Sequence, residues 1–217
     1  MKIRAVLFDL DGTVLSTLED LKIATNAALA MHNFPTHTLE DVCRFVGNGI
    51  RKLIERAVPA NTSLEKIEEV LSDFKTYYGA HCTENTRPYD GVLDMLRALK
   101  DAGILLALVS NKADFAVQDL AKQYFDGLFD AVTGERAGIP CKPAPDMVQN
   151  TLRELGVTAE ESAFVGDSDV DVLTAKNSGL TGVFVTWGFR DAACLYGAGA
   201  QTLVDTPEQL AQFFLNQ

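Results

Sequence analysis

From about residue 91 onward, short continuous apolar runs alternate with segments whose apolar residues recur at helical spacing. Ile104 to Val109, Ser162 to Val165 and Thr181 to Thr186 read as strands, and Ala131 to Thr133 and Thr202 to Val204 as shorter ones. Helices are predicted over 91–102, after Ser110-Asn111-Lys112 to about Tyr124, after Lys142-Pro143-Ala144-Pro145 to Leu155, and up to Ser178. A final helix opens at Thr206-Pro207-Glu208-Gln209, which supplies an N-cap, a first-turn proline and a box partner. Gly103 stands where a C-cap glycine belongs. Strands without polar alternation are buried on both faces, which argues for a parallel sheet covered by helices on both sides. Ala5 to Phe8 is a run of the same kind. It is expected to join that sheet, because alone it could not hide its backbone polar groups.

Between residues 16 and 82 the pattern is helical throughout. Ser16-Thr17-Leu18-Glu19 fits a capping box, followed by Leu21, Ala24, Ala28 and Met31 at helical spacing. A second helix starts near Thr38 and a third near Ile50, with Leu53, Ile54 and Ala57. A fourth opens at a further box, Thr62-Ser63-Leu64-Glu65, and carries Ile67, Val70, Leu71 and Phe74. Thr83 to Gly91 is polar and reads as a return linker. The expected organisation is an α/β fold: a Rossmann-like parallel core formed by 1–15 and 83–217, with an all-α domain, 16–82, inserted into it.

Composition narrows the partners. The 217 residues hold 19 Lys and Arg against 30 Asp and Glu, a formal net charge of −11, which repels nucleic acid and anionic membrane. Neither is an expected partner, and any anion site must be electropositive locally. Cys43, Cys82, Cys141 and Cys194 are scattered without metal-ligand spacing, as suits reduced thiols in a cytoplasmic protein. The chain enters its first strand almost at once, leaving no room for a signal peptide, and no apolar run reaches transmembrane length.

Candidate chemistry sits at the ends of the predicted strands. The first strand runs into Asp9-Leu10-Asp11-Gly12-Thr13. Two carboxylates so close repel one another, and a hard divalent cation, Mg²⁺ beside phosphate, is the simplest compensation. Gly12 allows a sharp turn that presents N–H groups to an anion. Ser110 and Asn111 offer donors suited to phosphate oxygens, although a plain helix cap uses the same residues. Lys142 can neutralise phosphate charge and orient a nucleophile. Asp167 and Asp171, four apart at a helix start, either complete a metal site with Asp9 or favour the helix dipole. Ligand crevices form at the C-terminal ends of parallel strands, where several such clusters together are hard to explain as turns.

In their order and spacing, Asp9-x-Asp11-Gly12-Thr13, Ser110-Asn111-Lys112, Lys142-Pro143 and Gly166-Asp167-x-x-x-Asp171 resemble the four motifs of the haloacid dehalogenase superfamily of Mg²⁺-dependent phosphatases. The resemblance spans essentially the whole chain and makes the 16–82 insert similar to that family's mobile helical cap. It implies Asp9 as nucleophile forming an aspartyl phosphate, and Asp11 as general acid and then base. Mg²⁺ would be held by the Asp9 carboxylate, the Asp11 backbone carbonyl and Asp167, with Asp171 in support. Ser110, Asn111 and Lys142, helped by N–H groups near Gly12 and Thr13, would surround the transferring oxygens. Asp11 separates phosphatases from the dehalogenases of the superfamily, which typically lack this second aspartate.

The implied substrate is a small phosphorylated metabolite. Phe45-Val46-Gly47-Asn48-Gly49-Ile50-Arg51 resembles the cap loop of phosphoglycolate phosphatases, with Gly49 allowing close approach and Arg51 suited to pairing a carboxylate. An interhelical turn with a solvated arginine is the plain alternative. That family often has Asp-Ser after its first motif, where this chain has Ser16-Thr17. A β-phosphoglucomutase-like phosphotransferase would share the core, but the first cap helix lacks the histidine such mutases usually carry. A phosphonoacetaldehyde hydrolase would need a Schiff-base lysine, for which Lys52 is the one tempting position. A non-catalytic phosphometabolite-binding protein would show no turnover of an aryl phosphate with Mg²⁺.

Overall fold

The computed structural model describes residues 2–216. In chain order the elements are β1 (Ala5–Phe8), β2 (Leu15–Ser16), α1 (Leu18–Met31), α2 (Leu39–Phe45), α3 (Gly49–Ala57), α4 (Leu64–His81), β3 (Arg87–Pro88), α5 (Val92–Asp101), β4 (Leu105–Ala113) and α6 (Asp114–Phe125). There follow β5 (Ala131–Glu135), α7 (Asp146–Leu155), β6 (Ser162–Gly166), α8 (Asp169–Ser178), β7 (Thr181–Val185), α9 (Ala192–Ala198), β8 (Leu203–Val204) and α10 (Pro207–Leu215). Two compact units emerge: the described residues up to Leu15 together with those from Pro88 onward, and Ser16–Arg87.

The first unit is a six-stranded parallel sheet in the order β5-β4-β1-β6-β7-β8. Central β1 pairs on both edges, Phe8 standing opposite Leu108 on one side and Val165 on the other. Its alternating side chains serve two cores, since successive residues of a strand face opposite ways. Val6 and Phe8 pack with Leu96, Val117, Leu120 and Phe214, from α5, α6 and α10. Ala5 and Leu7 pack with Val148, Leu152, Val172 and Leu195, from α7, α8 and α9. Both faces are therefore covered, and the continuous apolar character of these strands follows from that. From β1 the chain steps to β4 and β5 on one side, then crosses to β6, β7 and β8 on the other. Such a reversal opens a crevice at the C-terminal ends of the strands beside β1.

The second unit is helical, α1 to α4, around its own core of Leu21, Ala28, Leu29, Leu53, Ile54, Leu71 and Phe74. Fully burying a side chain of this size contributes about 1.5–3 kcal/mol, so the cluster supports a compact unit. Three expectations need correction here. The N-cap of α1 is Thr17 rather than Ser16, and its hydroxyl makes no capping bond. The cap of α4 is Ser63 rather than Thr62, accepting from the Lys66 N–H at 3.2 Å. The segment after α4 is no slack linker: buried Asp20 accepts from the Asn85 N–H at 3.0 Å and from the Thr86 N–H and hydroxyl at 2.8 Å, and Arg87–Pro88 forms β3, paired with β2. These bonds bind 85–86 into the helical unit, Ser16–Arg87.

Within the first unit one strand and one helix differ from expectation. Ser110, Asn111 and Lys112 do not follow β4 but lie inside it, all buried. Asp191 caps α9 by accepting from the Cys194 N–H at 2.8 Å, a short helix in a stretch that carries no clear apolar period. Among the described residues, no helix is long and apolar enough to cross a membrane.

Candidate active site

Asp9 is the first residue beyond β1, and its N–H donates to the Val165 carbonyl at 2.8 Å, carrying the β1–β6 ladder one rung further. The chain then turns sharply. Leu10 O accepts from the N–H groups of Val14 and Leu15 at 3.2 and 3.0 Å, and Gly12 adopts φ +91°. This turn sends Asp9 and Asp11 to different partners. The Asp9 carboxylate lies 2.8 Å from Lys142 Nζ, whereas both oxygens of Asp11 meet Lys112 Nζ, at 2.8 and 3.1 Å.

Lys142, in the connection from β5 to α7, is buried and bridges Asp9 to Asp171, each at 2.8 Å. Burial alone would pull its ammonium down, but the Asp171 and Asp9 charges more than offset this and hold it above its ordinary value. Asn111 holds the lysine in place. Its Nδ2 donates to the Lys142 carbonyl at 2.9 Å and its Oδ1 accepts from the Lys142 N–H at 2.8 Å. Asn111 thus grips the backbone that carries Lys142. Ser110 Oγ accepts from the Lys112 N–H at 3.3 Å.

Asp167 and Asp171 flank the start of α8. Asp171 closes a capping box with Ser168, whose hydroxyl donates to it at 2.6 Å while Lys142 takes its other oxygen. Asp167 sits in a cradle. Thr13 Oγ1 donates to one of its oxygens at 3.2 Å, and the Phe189 N–H donates to the other at 2.6 Å. A Cβ on Gly12 or on Gly188 would collide with this carboxylate, so both positions must lack one. Trp187 ties the same loop to the first motif, its indole N–H donating to the Thr13 carbonyl at 3.0 Å. In the sequence the loop 187–189 carries little signal beyond a tryptophan and a glycine shortly after an apolar strand.

Three carboxylate oxygens, one each from Asp9, Asp167 and Asp171, lie within 4.8 Å of one another. Burial pushes the Asp9 carboxyl up to about 7, with Lys142 opposing and Asp171 and Asp11 adding to the rise. Asp167 is raised well above the usual carboxylate range by burial first and by the Asp171 and Asp9 charges second. With Asp9, Asp11, Asp167 and Asp171 ionised, Lys112 and Lys142 leave the site two charges short of neutrality. An all-oxygen donor set with that deficit fits a hard divalent cation such as Mg²⁺.

The sequence profile of haloacid dehalogenase-like hydrolases matches residues 6–185, which takes in Asp9, Asp11, Lys112, Lys142, Asp167 and Asp171 but not the loop 187–189. The chain belongs to that family. This hydrolase is 33% identical to a phosphoglycolate phosphatase of Colwellia psychrerythraea, with 94% of each chain covered. It is 31% identical to one of Aquifex aeolicus over 86% of each. Its fold matches the crystal structure of a provisionally named phosphoglycolate phosphatase from Lactobacillus delbrueckii subsp. bulgaricus, with TM-score 0.95, 36% identity and both chains covered in full.

The fold of the hydrolase brings together Asp9, Asp11, Gly12, Thr13, Ser110, Asn111, Lys142, Asp167 and Asp171 at the C-terminal rim of one sheet. Gly49 and Arg51 belong to the helical unit, where Gly49 opens α3 with φ +80°. Arg51 is half exposed and pairs there with Glu68 and, at 3.7 Å, with Glu55.

Proposed function

We propose that this hydrolase is an Mg²⁺-dependent phosphatase acting on a small phosphate monoester, phosphoglycolate first, through an aspartyl phosphate at Asp9. The observation that carries the reading is the group of three carboxylates at the strand ends, with Lys142 bonded to two of them. The names of the relatives favour phosphoglycolate among monoesters.

In this reading an Asp9 oxygen attacks phosphorus in line, and the bond from phosphorus to the ester oxygen breaks. Asp11 gives its proton to that departing oxygen, then takes one from the water that attacks the phosphorus of the aspartyl phosphate, releasing phosphate and restoring Asp9. Lys142 offsets the charge of the transferring group and orients Asp9, and the Ser110 hydroxyl would donate to its oxygens; the N–H groups of Gly12 and Thr13, expected to do the same, are instead spent within the turn on the Leu15 and Leu10 carbonyls, at 2.9 and 3.4 Å. Asn111 serves as a positioning residue for Lys142. Mg²⁺, held by Asp9, Asp167 and the Asp11 carbonyl with Asp171 behind them, would supply further neutralisation of the phosphoryl oxygens.

The test is a screen of phosphorylated metabolites with Mg²⁺, scored as kcat/KM, with phosphoglycolate expected to rank highest. Conversion of β-glucose 1-phosphate to the 6-phosphate without release of phosphate would instead establish a mutase. A lack of turnover on every ester, p-nitrophenyl phosphate included, would leave only binding.

Two variants probe the parts separately. Gly188→Ala sets a methyl group against the Asp167 carboxylate, and support of this kind behind a ligand is worth about 10- to 100-fold in metal affinity. A loss of that size in Mg²⁺ affinity is expected by calorimetry, with an unchanged circular dichroism spectrum; wild-type affinity would show that the cradle does not tune the site. For the helical unit, Arg51→Ala is expected to raise KM for phosphoglycolate about 10-fold, the ~1.4 kcal/mol of one modest carboxylate contact. KM for an ester without a carboxylate should hold steady, and equal changes for both would remove Arg51 from substrate reading.

A further inference from the structure

Two lysines are buried at the rim of the sheet, and the reaction described above uses one of them. The other, Lys112, pairs with Asp11. Its Nζ meets both oxygens of Asp11, at 2.8 and 3.1 Å, with only 4% of its side chain exposed against 16% for Asp11. Its backbone is equally settled. Lys112 lies within β4, its N–H bonded to Ser110 Oγ, at the point where the β4–β5 register shifts between Val109 and Ala113.

An ammonium buried this deeply is poorly explained by stability. Removing two charges from water costs several kcal/mol per ion, and an apolar residue of similar volume is often neutral or better in such a place. The partner is informative too. Asp11 stands outside the group formed by Asp9, Asp167 and Asp171, and it lies within the turn that follows β1 rather than in a strand, so its carboxyl plane needs an external anchor. A cation on both oxygens fixes that plane.

We propose that Lys112 is a positioning residue for the reaction: its two contacts aim the Asp11 carboxyl group at the oxygen that leaves and, afterwards, at the water that attacks. The inference rests on the phosphatase reading. Lys112 keeps its own hydrogens throughout. An ammonium can donate to a carboxyl group whether or not the second oxygen carries a proton, so Asp11 stays oriented in both steps. General acid–base catalysis by a placed group is worth about 10²- to 10⁴-fold, and its share depends on how much the leaving group needs a proton. The alkoxide of phosphoglycolate needs one, whereas p-nitrophenolate departs readily without.

The experiment compares kcat/KM on phosphoglycolate and on p-nitrophenyl phosphate for wild type, Lys112→Met, Asp11→Asn and the double variant, with thermal unfolding of each. Lys112→Met is expected to lose about 100-fold on phosphoglycolate and less than about 10-fold on the aryl ester. In the Asp11→Asn background, Lys112→Met should cost little more, the non-additivity of groups that act together. Lys112→Gln, which keeps a donor, should recover part of the loss, and it replaces Lys112→Met in the comparison where the methionine variant does not fold. Equal losses on the two esters, or full additivity with Asp11→Asn, would overturn the proposal while the phosphatase reading stood. A wild-type protein inert towards both esters would sink that reading, and the role of Lys112 with it.

Discussion

Asp9→Asn is expected to abolish turnover, with kcat lower by about 10⁴-fold or more, some 5 kcal/mol of barrier. The amide is nearly the same size but lacks the nucleophilic oxygen. The fold should survive, because Lys142 keeps its bond to Asp171 and the Asp9 N–H keeps its place in the ladder to Val165. A variant with an unaltered unfolding transition and no activity separates loss of the nucleophile from loss of structure. Residual activity within about tenfold of wild type would remove Asp9 from that role.

Lys142→Met is expected to cost both activity and stability. The lysine is the cation that Asp9 and Asp171 share in the buried site. Without it two carboxylates face each other in a dry environment, and breaking a buried pair of this kind typically costs about 3–5 kcal/mol. Unfolding in the absence of Mg²⁺ should therefore occur at a clearly lower temperature or denaturant concentration. Saturating Mg²⁺ should restore part of the loss, because an ion that binds only the folded state stabilises it by mass action. The paired variant Lys142→Met with Asp171→Asn removes one of the facing charges and should be more stable than Lys142→Met alone. Loss of activity with unchanged stability in Lys142→Met would show that the charges are relieved in another way.

Much of this arrangement is legible in the sequence, for physical reasons that differ from place to place. Strand β1, residues 105–109 of β4 and residues 163–165 of β6 are apolar at every position because they are covered on both faces, and such runs are easily seen. Asp9, Asp11, Asp167 and Asp171 stand out because carboxylates directly after an apolar strand are costly without compensation. The C-terminal end of β4 is less legible. Polar residues normally mark the end of a strand, yet Ser110, Asn111 and Lys112 stay within β4, across the register shift between Val109 and Ala113, and spend their polar atoms on neighbouring site groups. Asn111 reads as a phosphate donor in isolation, and only the folded chain reveals its grip on the Lys142 backbone. The attachment of Lys112 to Asp11 joins two distant stretches, and no local pattern encodes it. The same holds for Gly188, whose need to be glycine arises from the carboxylate packed against it. Helix α9 escaped because a short helix rich in alanine and glycine has no apolar period to read.

Trapping the covalent intermediate tests the account most directly. Wild-type protein turning over phosphoglycolate with Mg²⁺ would be quenched in acid, digested, and its peptides examined by mass spectrometry. One phosphoryl group is expected, on the peptide that contains Asp9 and on the side chain of Asp9 itself, and it should be absent when Mg²⁺ is chelated. Sustained turnover with no phosphorylated peptide, or with the phosphoryl group on any other residue, would contradict it.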